Sequence, residues 1–401
     1  YDRIPIQDCT RMNEFTTRCW QRRQLFWPPL FLVAVTPFAF DAHVDTLQLA
    51  LDLDADLAVG SPGQLDLPRA REGGLGGAVL TAWVHPKFDA PERGGSRARA
   101  EALLDELDRL AERHPDLVQL IHTRSDWSEA RVSGRFAAVA GMEGGHPLED
   151  SLETLEHFAA RGLRVLTLVW NNHLTWARSC QPDAPEGTPE GLSSFGEHIV
   201  GRCNELGILV DLSHAGERTF FDALESGEGP AIASHSGCKA LHDHPRNLTD
   251  GQVRALAATG GVVGLPFLPS FLDRGAQERA ARCRNTPGYQ ALRSATDCGL
   301  EVERTRYLAS QLEPLGIERL VDHAAHIAEL VGAEHVGLGS DFDGIATTVA
   351  GLEDARGYPR LVEPLLARGF SEAEVEGVLG GNLERVLLEV LPRSEEHTSE
   401  L

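Results

Sequence analysis

Short apolar runs rich in valine, isoleucine and leucine alternate along this chain with longer amphipathic stretches. That alternation is typical of repeated β-α units, whose strands form a parallel sheet that is buried on both faces. Eight runs are predicted as strands, at residues 36–42, 78–84, 136–142, 164–169, 208–212, 231–234, 261–266 and 336–340. Because eight parallel strands with intervening helices close naturally into a barrel, the pattern predicts an α/β fold of the (β/α)8 TIM-barrel type.

The amphipathic stretches are predicted as helices, at residues 97–113, 151–161, 195–206, 217–226, 249–259 and 317–331, with two more at 360–367 and 372–391. The segment 269–314 is polar with little periodicity, and it interrupts the rhythm of strands and helices. It is therefore predicted as an insertion over the mouth of the barrel. The barrel itself is predicted as one domain that spans residues 36–391.

The two ends of the chain differ in character from the predicted barrel. Residues 1–35 are predicted as a non-core N-terminal extension of foreign origin. The apolar run 25–40, which overlaps the end of this extension, follows Arg22 and Arg23 and resembles a signal peptide. Three prolines interrupt the run, so secretion is kept only as an alternative. Residues 392–401 are predicted as an artefactual tail, because the letters RSEEHTSEL resemble translated sequencing-adapter sequence.

Charge and cysteine content narrow the classes of partner. The 401 residues include 37 Lys plus Arg against 60 Asp plus Glu, which gives a net charge of −23. Such a charge would repel phosphate backbones and anionic lipids, so no nucleic-acid partner is expected. The run 25–40 is shorter than the roughly 20 residues of a spanning helix, so no membrane insertion is expected. Seven thinly spread cysteines favour a reducing compartment, and we expect a bacterial cytoplasmic protein.

Polar side chains suited to metal binding follow five of the predicted strands. They are His43 and Asp45 after the first strand, Glu143 after the third, His214 after the fifth, His235 after the sixth and Asp341 after the eighth. Catalytic groups of TIM-barrel enzymes lie at the carboxyl ends of the strands, so these side chains would share one mouth. His43 and Asp45, two apart on an extended strand, would point the same way. Each histidine alone would more often be structural, but together they predict a metal site, in which one carboxylate could bridge two ions.

Several segments around these residues resemble the successive motifs of a known family. The segments are DAHVDT from Asp41, MEGGHPLE from Met142, VDLSHAG from Val210, ASHSGC from Ala233, HDHPRNLTD from His242, VGLGSDFDG from Val336 and LGGNLERVL from Leu379. In this order they resemble the membrane (renal) dipeptidase family, peptidase family M19, within the amidohydrolase-like metal-dependent hydrolases. The resemblance covers about residues 36–391.

The resemblance implies a zinc-dependent dipeptidase with two Zn²⁺ ions. Carried over to this chain, it implies that His43 and Asp45 bind one ion, that His214 and His235 bind the other, and that Glu143 bridges both. A hydroxide between the ions would attack the peptide bond of a dipeptide substrate. Members of the family often dimerise, so a homodimer could form.

The resemblance also assigns roles to residues outside the ligand set. Asp341 would act as catalytic acid/base and could bind the substrate amino group, and Arg246 would bind its carboxylate through a bidentate guanidinium. On the residues alone, Asp341 could instead cap a helix, and Arg246 could be a surface arginine. Trp170 is assigned to the substrate-binding site, but well-studied relatives carry a histidine at this position, so the residue departs from the family pattern. His173, three residues further on, could substitute for the missing histidine.

Two alternative functions stay open at this point. Another amidohydrolase-type barrel could act on a lactone, a phosphotriester or a cyclic amide. Such barrels usually begin with His-x-His, whereas this chain has His43 and Asp45 in a His-x-Asp arrangement. A metal-stabilised binding protein without turnover is the other alternative, and it is motivated by the departure at Trp170 and by the altered ends of the chain.

Overall fold

The computed structural model describes residues 38–89, 91–293 and 298–394. The predicted extension 1–35 and the tail from residue 395 onward lie outside the described residues. The strands in this part of the chain are β1 Ala39–Val44, β2 Leu75–Trp83, β3 Val118–Leu120, β4 Phe136–Glu143, β5 Leu163–Thr167, β6 Leu209–Asp211, β7 Ala231–Ala233, β8 Val262–Leu265 and β9 Val336–Leu338. All eight predicted strands are confirmed, and β3 is an additional short strand that the sequence pattern missed.

The sheet is a parallel barrel. Its strand order is β1-β2-β4-β5-β6-β7-β8-β9, and β3 pairs with β4 outside this path. The ring closes beyond the ends of β1 and β9, where the Asp45 amide donates to the Phe342 carbonyl at 2.8 Å and the Asp341 amide donates to the His43 carbonyl at 3.0 Å. The (β/α)8 TIM-barrel prediction is therefore confirmed, and the closure itself brings together three residues that were predicted to carry chemistry.

Helices surround the barrel. The described α-helices are α1 Leu47–Leu53, α2 Leu67–Glu72, α3 Ser96–Arg113, α4 Arg124–Ser133, α5 Leu152–Ala160, α6 Ser194–Glu205, α7 Glu217–Ser226, α8 Asp250–Ala258, α9 Pro269–Leu272, α10 Arg274–Arg284, α11 Pro287–Arg293, α12 Cys298–Gln311, α13 Ile317–Val331, α14 Val362–Arg368, α15 Glu372–Glu376 and α16 Asn382–Val390. Each predicted helix has a counterpart in this set. The segment 269–314, predicted only as a polar insertion, contains α9 to α12.

The final predicted helix, 372–391, is divided in two. A π-helical turn, Gly377–Gly381, separates α15 from α16. A Cβ at Gly380 would lie 2.8 Å from the backbone nitrogen of Phe40, so glycine allows this turn to approach β1 closely. The chain therefore closes against the amino end of the barrel.

Alternating side chains of the strands divide into two buried clusters. Ala137 and Val139 of β4 belong to an inner cluster with Val165 of β5, whereas Ala138 and Ala140 pack in the outer cluster. Because side chains alternate along a strand, the inner face of β4 continues from Val139 to Glu143. The interior of the barrel thus changes from apolar to polar at the carboxyl ends of its strands, and this polar end is the candidate site.

Candidate metal centre

The five predicted metal ligands converge in the polar end of the barrel. His43, Asp45, Glu143, His214 and His235 are all buried, with exposed fractions between 1% and 6%. Two triplets have potential ligand atoms within 4.8 Å of one another: His43 with Asp45 and Glu143, and Glu143 with His214 and His235. The side chains come from four strand ends, so barrel closure brings distant parts of the chain together.

Glu143 lies between the two groups of ligands and contacts both. Its Oε1 is 2.9 Å from Nε2 of His214 and 3.5 Å from Nε2 of His235. Its other oxygen, Oε2, is 3.8 Å from Nε2 of His43. One carboxylate therefore presents one oxygen to each side, which is the geometry that a bridging ligand needs.

Several ligand atoms lack the hydrogen bonds that buried polar atoms normally make. Nε2 of His43 and Oδ1 of Asp45 have no partner among the described residues, although both atoms are buried and lie 3.8 Å apart. Nε2 of His214 and Nε2 of His235 face each other at 3.1 Å. Since unsatisfied buried polar groups are costly, this arrangement fits metal ions bound between the side chains. Imidazole nitrogen and carboxylate oxygen are also the donor set that zinc prefers.

Burial holds the three histidines in the form that can bind a metal. It lowers the pKa of His43 to about 4, and it lowers the pKa values of His214 and His235 well below their usual range. All three imidazoles are therefore neutral near pH 7. The pKa values of Asp45 and Glu143 are raised well above their usual range, first by burial and second by the charges of neighbouring carboxylates. A bound cation would favour the ionised form of both groups.

Hydrogen bonds fix the orientation of two of these histidines. Nδ1 of His214 lies 3.0 Å from Oδ1 of Asn171, an oxygen that also accepts from Gln181. Nδ1 of His235 lies 2.8 Å from the Ser234 hydroxyl. In each case Nδ1 can donate, which leaves the lone pair on Nε2 directed into the site. The sequence analysis did not identify Asn171 or Ser234.

Asp211, at the end of β6, is a further buried carboxylate that the sequence analysis missed. It lies close enough to His43 and His235 to form a third potential triplet of ligands. However, Oδ1 of Asp211 accepts from the amides of Ser213 and Ser234, and its Oδ2 accepts from the hydroxyls of Thr167 at 2.5 Å and Ser234 at 2.6 Å. Four donors occupy its lone pairs, so we interpret Asp211 as a structural support for the ends of β5, β6 and β7.

Asp41 supports the opposite side of the site in the same way. It is fully buried and accepts from the amides of His43 at 2.9 Å and Ser340 at 3.0 Å, and from the Tyr358 hydroxyl. Burial raises the pKa of Asp41 to about 6 despite these hydrogen bonds. Asp41 thereby ties β1 to the turn after β9, where Asp341 lies.

Asp341 occupies a strained turn at the edge of the ligand cluster. Its φ is +63°, a left-handed conformation that costs a non-glycine residue about 1 kcal/mol or more. A Cβ at Gly344 would lie 2.2 Å from Oδ2 of Asp45 and 2.5 Å from Oδ1 of Asp341, so both carboxylates line the same small space. Burial raises the pKa of Asp341 to about 8, although Arg246 acts in the opposite direction. No helix begins at Asp341, so it is not a helix cap; the next described helical turn starts at Ala355.

Arg246 is buried beside the ligands rather than exposed on the surface. Only 4% of its surface is accessible. Its Nη2 donates to the His235 carbonyl at 3.2 Å, and its Nε has no hydrogen-bond partner among the described residues. Its charge acts on Asp341 and Glu143, but the guanidinium forms no direct ion pair with a carboxylate of that part of the chain. A buried guanidinium without a carboxylate partner is suited to binding an anionic ligand.

Trp170 lies at the rim of the site, as part of an aromatic group. Its ring centroid is 6.3 Å from that of His214 and 5.2 Å from that of Trp83. Nδ1 of His173, the suggested substitute for the missing histidine, accepts instead from the Ser179 amide at 3.2 Å within the same loop. Trp170 can therefore form a wall beside the ligands, whereas Nδ1 of His173 is held within its own loop.

Comparison with known families decides what kind of barrel this is. The sequence matches the membrane dipeptidase family (Peptidase family M19) over residues 32–400. The chain belongs to this family. A dipeptidase from Claviceps purpurea, tcpJ, is 32% identical over 334 residues, which cover 82% of this chain and 69% of that protein. This M19 chain is therefore a dipeptidase-like metallopeptidase, and membership favours it over the lactone, phosphotriester, cyclic-amide and non-catalytic alternatives.

Solved structures agree with this membership. The probable dipeptidase PvdM from Pseudomonas aeruginosa superposes with a TM-score of 0.74 at 27% identity, covering 89% of this chain and 96% of that one. A metallopeptidase from Rhodobacter sphaeroides, solved with a phosphinate mimic of the dipeptide L-Ala-D-Ala, gives a TM-score of 0.72 at 27% identity, covering 88% and 99%. In the described part of this M19 chain, no helix combines the length and apolar character needed to cross a bilayer.

Proposed function

We propose that this M19 member is a zinc-dependent dipeptidase with a two-metal site. His43 and Asp45 would hold one ion, and His214 and His235 would hold the other, with Glu143 shared between them. The observation that carries the proposal is the placement of Glu143. One of its carboxylate oxygens faces His43, and the other faces His214 and His235. Bound zinc would supply Lewis acidity that polarises the scissile carbonyl and lowers the pKa of a water nucleophile from 15.7 towards about 7.

Residues of the chain would perform the remaining steps. Burial raises the pKa of Asp341 to about 8 in the metal-free chain, and bound cations would favour its ionised form, which can accept the proton of the attacking water and deliver it to the departing amine. Arg246 would bind the carboxylate of the dipeptide, because the Nε of its buried guanidinium has no hydrogen-bond partner among the described residues. Trp170 would limit the space available to the substrate on the side of His214. Together these groups would select a short peptide with a free carboxyl end.

The relative from Rhodobacter sphaeroides guides the choice of substrate. That protein was solved with a mimic of L-Ala-D-Ala. We therefore expect this chain to hydrolyse short L,L-dipeptides and to tolerate a D-residue at the carboxyl side. The proposal is tested by stripping the protein of metal, adding zinc back, and measuring released amino acids from a panel that includes L-Ala-L-Ala and L-Ala-D-Ala.

The expected result is hydrolysis that requires metal and saturates at two zinc ions per chain. Metal analysis after dialysis measures the stoichiometry directly. Hydrolysis by the stripped protein at the same rate, or saturation at one ion, would contradict the two-metal site. Zinc binding without release of amino acids from any dipeptide would contradict the assigned activity instead.

Removing the charge of Arg246 is expected to weaken substrate binding. Because a charge-assisted hydrogen bond contributes about 1.5–3 kcal/mol, Arg246→Met should lower kcat/KM by about 10- to 100-fold, mainly through KM. Steady-state kinetics on L-Ala-L-Ala and on L-Ala-L-alaninamide measure the effect, and the amide, which has no carboxylate, should lose much less. Arg274→Met is a matched control, since that side chain is 83% exposed on α10. Equal losses on both substrates would place the carboxylate elsewhere.

A further inference from the structure

Arg246 makes few hydrogen bonds, although a substrate-binding guanidinium must be held in one orientation. Within the described part of the chain, its guanidinium donates one hydrogen bond, from Nη2 to the His235 carbonyl, and its Nε has no partner. An arginine side chain has many rotamers, and their loss on binding a ligand weakens affinity. Some other group must therefore restrict the guanidinium before the substrate arrives.

The aromatic ring of Phe271, in α9, lies against this guanidinium. Cζ of Arg246 is 5.3 Å from the ring centroid of Phe271, within the range of a cation–π interaction. The imidazole of His244 lies on the same ring, with centroids 4.7 Å apart and planes 37° apart. His244 also accepts from the backbone amide of Arg246 through Nδ1, at 3.2 Å. The ring and the imidazole thus restrict both the side chain and the backbone of Arg246.

Three successive carbonyls fix the position of the Phe271 ring. The Ser270 carbonyl lies 3.2 Å from Nε2 of His242, the Phe271 carbonyl accepts from Nδ2 of Asn247 at 2.7 Å, and the Leu272 carbonyl lies 3.0 Å from Nε2 of His323. Three of these residues, His242, Asn247 and His323, are at most 5% exposed. The start of the 269–314 segment is therefore anchored to the loop that follows β7 and to α13.

Asn247, the neighbour of Arg246, connects the two segments. Besides the Phe271 carbonyl, its Nδ2 donates to the His242 carbonyl at 2.9 Å, and its Oδ1 accepts from the Gly237 amide at 3.0 Å. All three bonds are made by one buried side chain, so the loop that carries Arg246 cannot shift without breaking its attachment to α9. The first turn of the inserted segment and the arginine behave as one unit.

We propose that Phe271 is a positioning residue for Arg246, and that through it the inserted segment sets the preference for a free carboxylate at the end of the substrate. This inference rests on the proposed function, in which Arg246 binds that carboxylate. Phe271 itself would not touch the reacting atoms. Its effect should therefore appear in KM for carboxylate substrates and not in the chemical step.

The test compares Phe271→Leu with Phe271→Tyr. Leucine keeps much of the volume but removes the aromatic face, whereas tyrosine keeps the face. Phe271→Leu should raise KM for L-Ala-L-Ala about tenfold with kcat within about twofold, and should leave hydrolysis of L-Ala-L-alaninamide nearly unchanged. Phe271→Tyr should keep a KM close to that of the wild type. In an Arg246→Met background, Phe271→Leu should add little, because the group that it positions is gone.

Each outcome separates the positioning role from the function itself. If the wild type hydrolyses dipeptides but Phe271→Leu keeps its preference for the free carboxylate, the positioning role is wrong and the dipeptidase proposal stands. If Phe271→Leu lowers hydrolysis of both substrates equally, the residue is structural. If the wild type hydrolyses neither substrate, binding of N-acetyl-L-alanine to the zinc-loaded protein, measured by calorimetry, decides the role. Tighter binding to wild type than to Phe271→Leu supports it, and equal binding overturns it.

Discussion

Replacing Glu143 by glutamine is expected to remove both the second bound metal ion and the activity. The amide keeps the size of the side chain, but only one of its two terminal atoms can accept, and the negative charge is lost. Because Oε1 faces His214 and His235 while Oε2 faces His43, one of the two groups must lose its shared ligand. Bound zinc should fall below two ions per chain, and kcat should fall at least about 1000-fold, equivalent to about 4 kcal/mol.

The metal-free form gives an independent measurement on the same variant. Burial and the charges of Asp45 and Asp341 raise the pKa of Glu143 well above its usual range, so without metal the protonated form of this carboxyl is favoured more than in an ordinary glutamate. Glutamine resembles that protonated form. The melting temperature of metal-free Glu143→Gln should therefore equal or exceed that of the metal-free wild type. Such a result would exclude misfolding as the cause of lost activity.

A matched control for Glu143→Gln lies in the turn that follows the same strand. Glu149 is exposed, so Glu149→Gln removes one negative charge nearby without touching the ligand cluster. It should retain two zinc ions and a near-normal rate. Two ions per chain together with normal hydrolysis in Glu143→Gln itself would show that the carboxylate does not bridge.

The sequence predicted the barrel well because its strands are buried on both faces. Runs such as 136–142 and 261–266 are apolar almost throughout, a pattern that distinguishes strands of a parallel sheet from amphipathic helices. The short strand β3, Val118–Leu120, carries no such signal, since two of its three residues are only partly buried. The helices α9 to α12 were missed because the polar residues of the 269–314 segment weaken its apolar periodicity.

The ligands could be predicted because they end apolar runs, but their supports could not. His214 and His235 follow strands directly, so fold class alone places them at the mouth. Asn171, Ser234 and Phe271 act through contacts with residues that lie 1 to 43 positions away in sequence, and these contacts depend on strand register and loop conformation. Asp211 offered one usable signal, a charged residue within an apolar strand, but its role becomes clear only when its four donors are seen.

Replacing Asp341 by asparagine is expected to abolish turnover while leaving the metal site occupied. Asparagine has nearly the same shape and also tolerates the left-handed conformation that Asp341 adopts at a φ of +63°. It cannot accept and return a proton, and loss of a general acid/base costs about 100- to 10,000-fold in rate. We expect kcat to fall by that factor and zinc to remain at two ions per chain.

Asp343 provides the contrast that makes this result interpretable. It lies two residues further on with a φ of +66°, and its carboxylate accepts from the Thr46 hydroxyl at 2.6 Å and from the Gln64 amide at 2.5 Å. Because these hydrogen bonds hold the turn, Asp343→Asn should lower thermal stability but reduce kcat much less than Asp341→Asn does. Both substitutions replace Asp by Asn in the same strained turn, so a much larger loss of kcat in Asp341→Asn would reflect proton transfer. Similar losses of kcat in the two variants would mean that Asp341 acts on the structure of the turn rather than on the reaction.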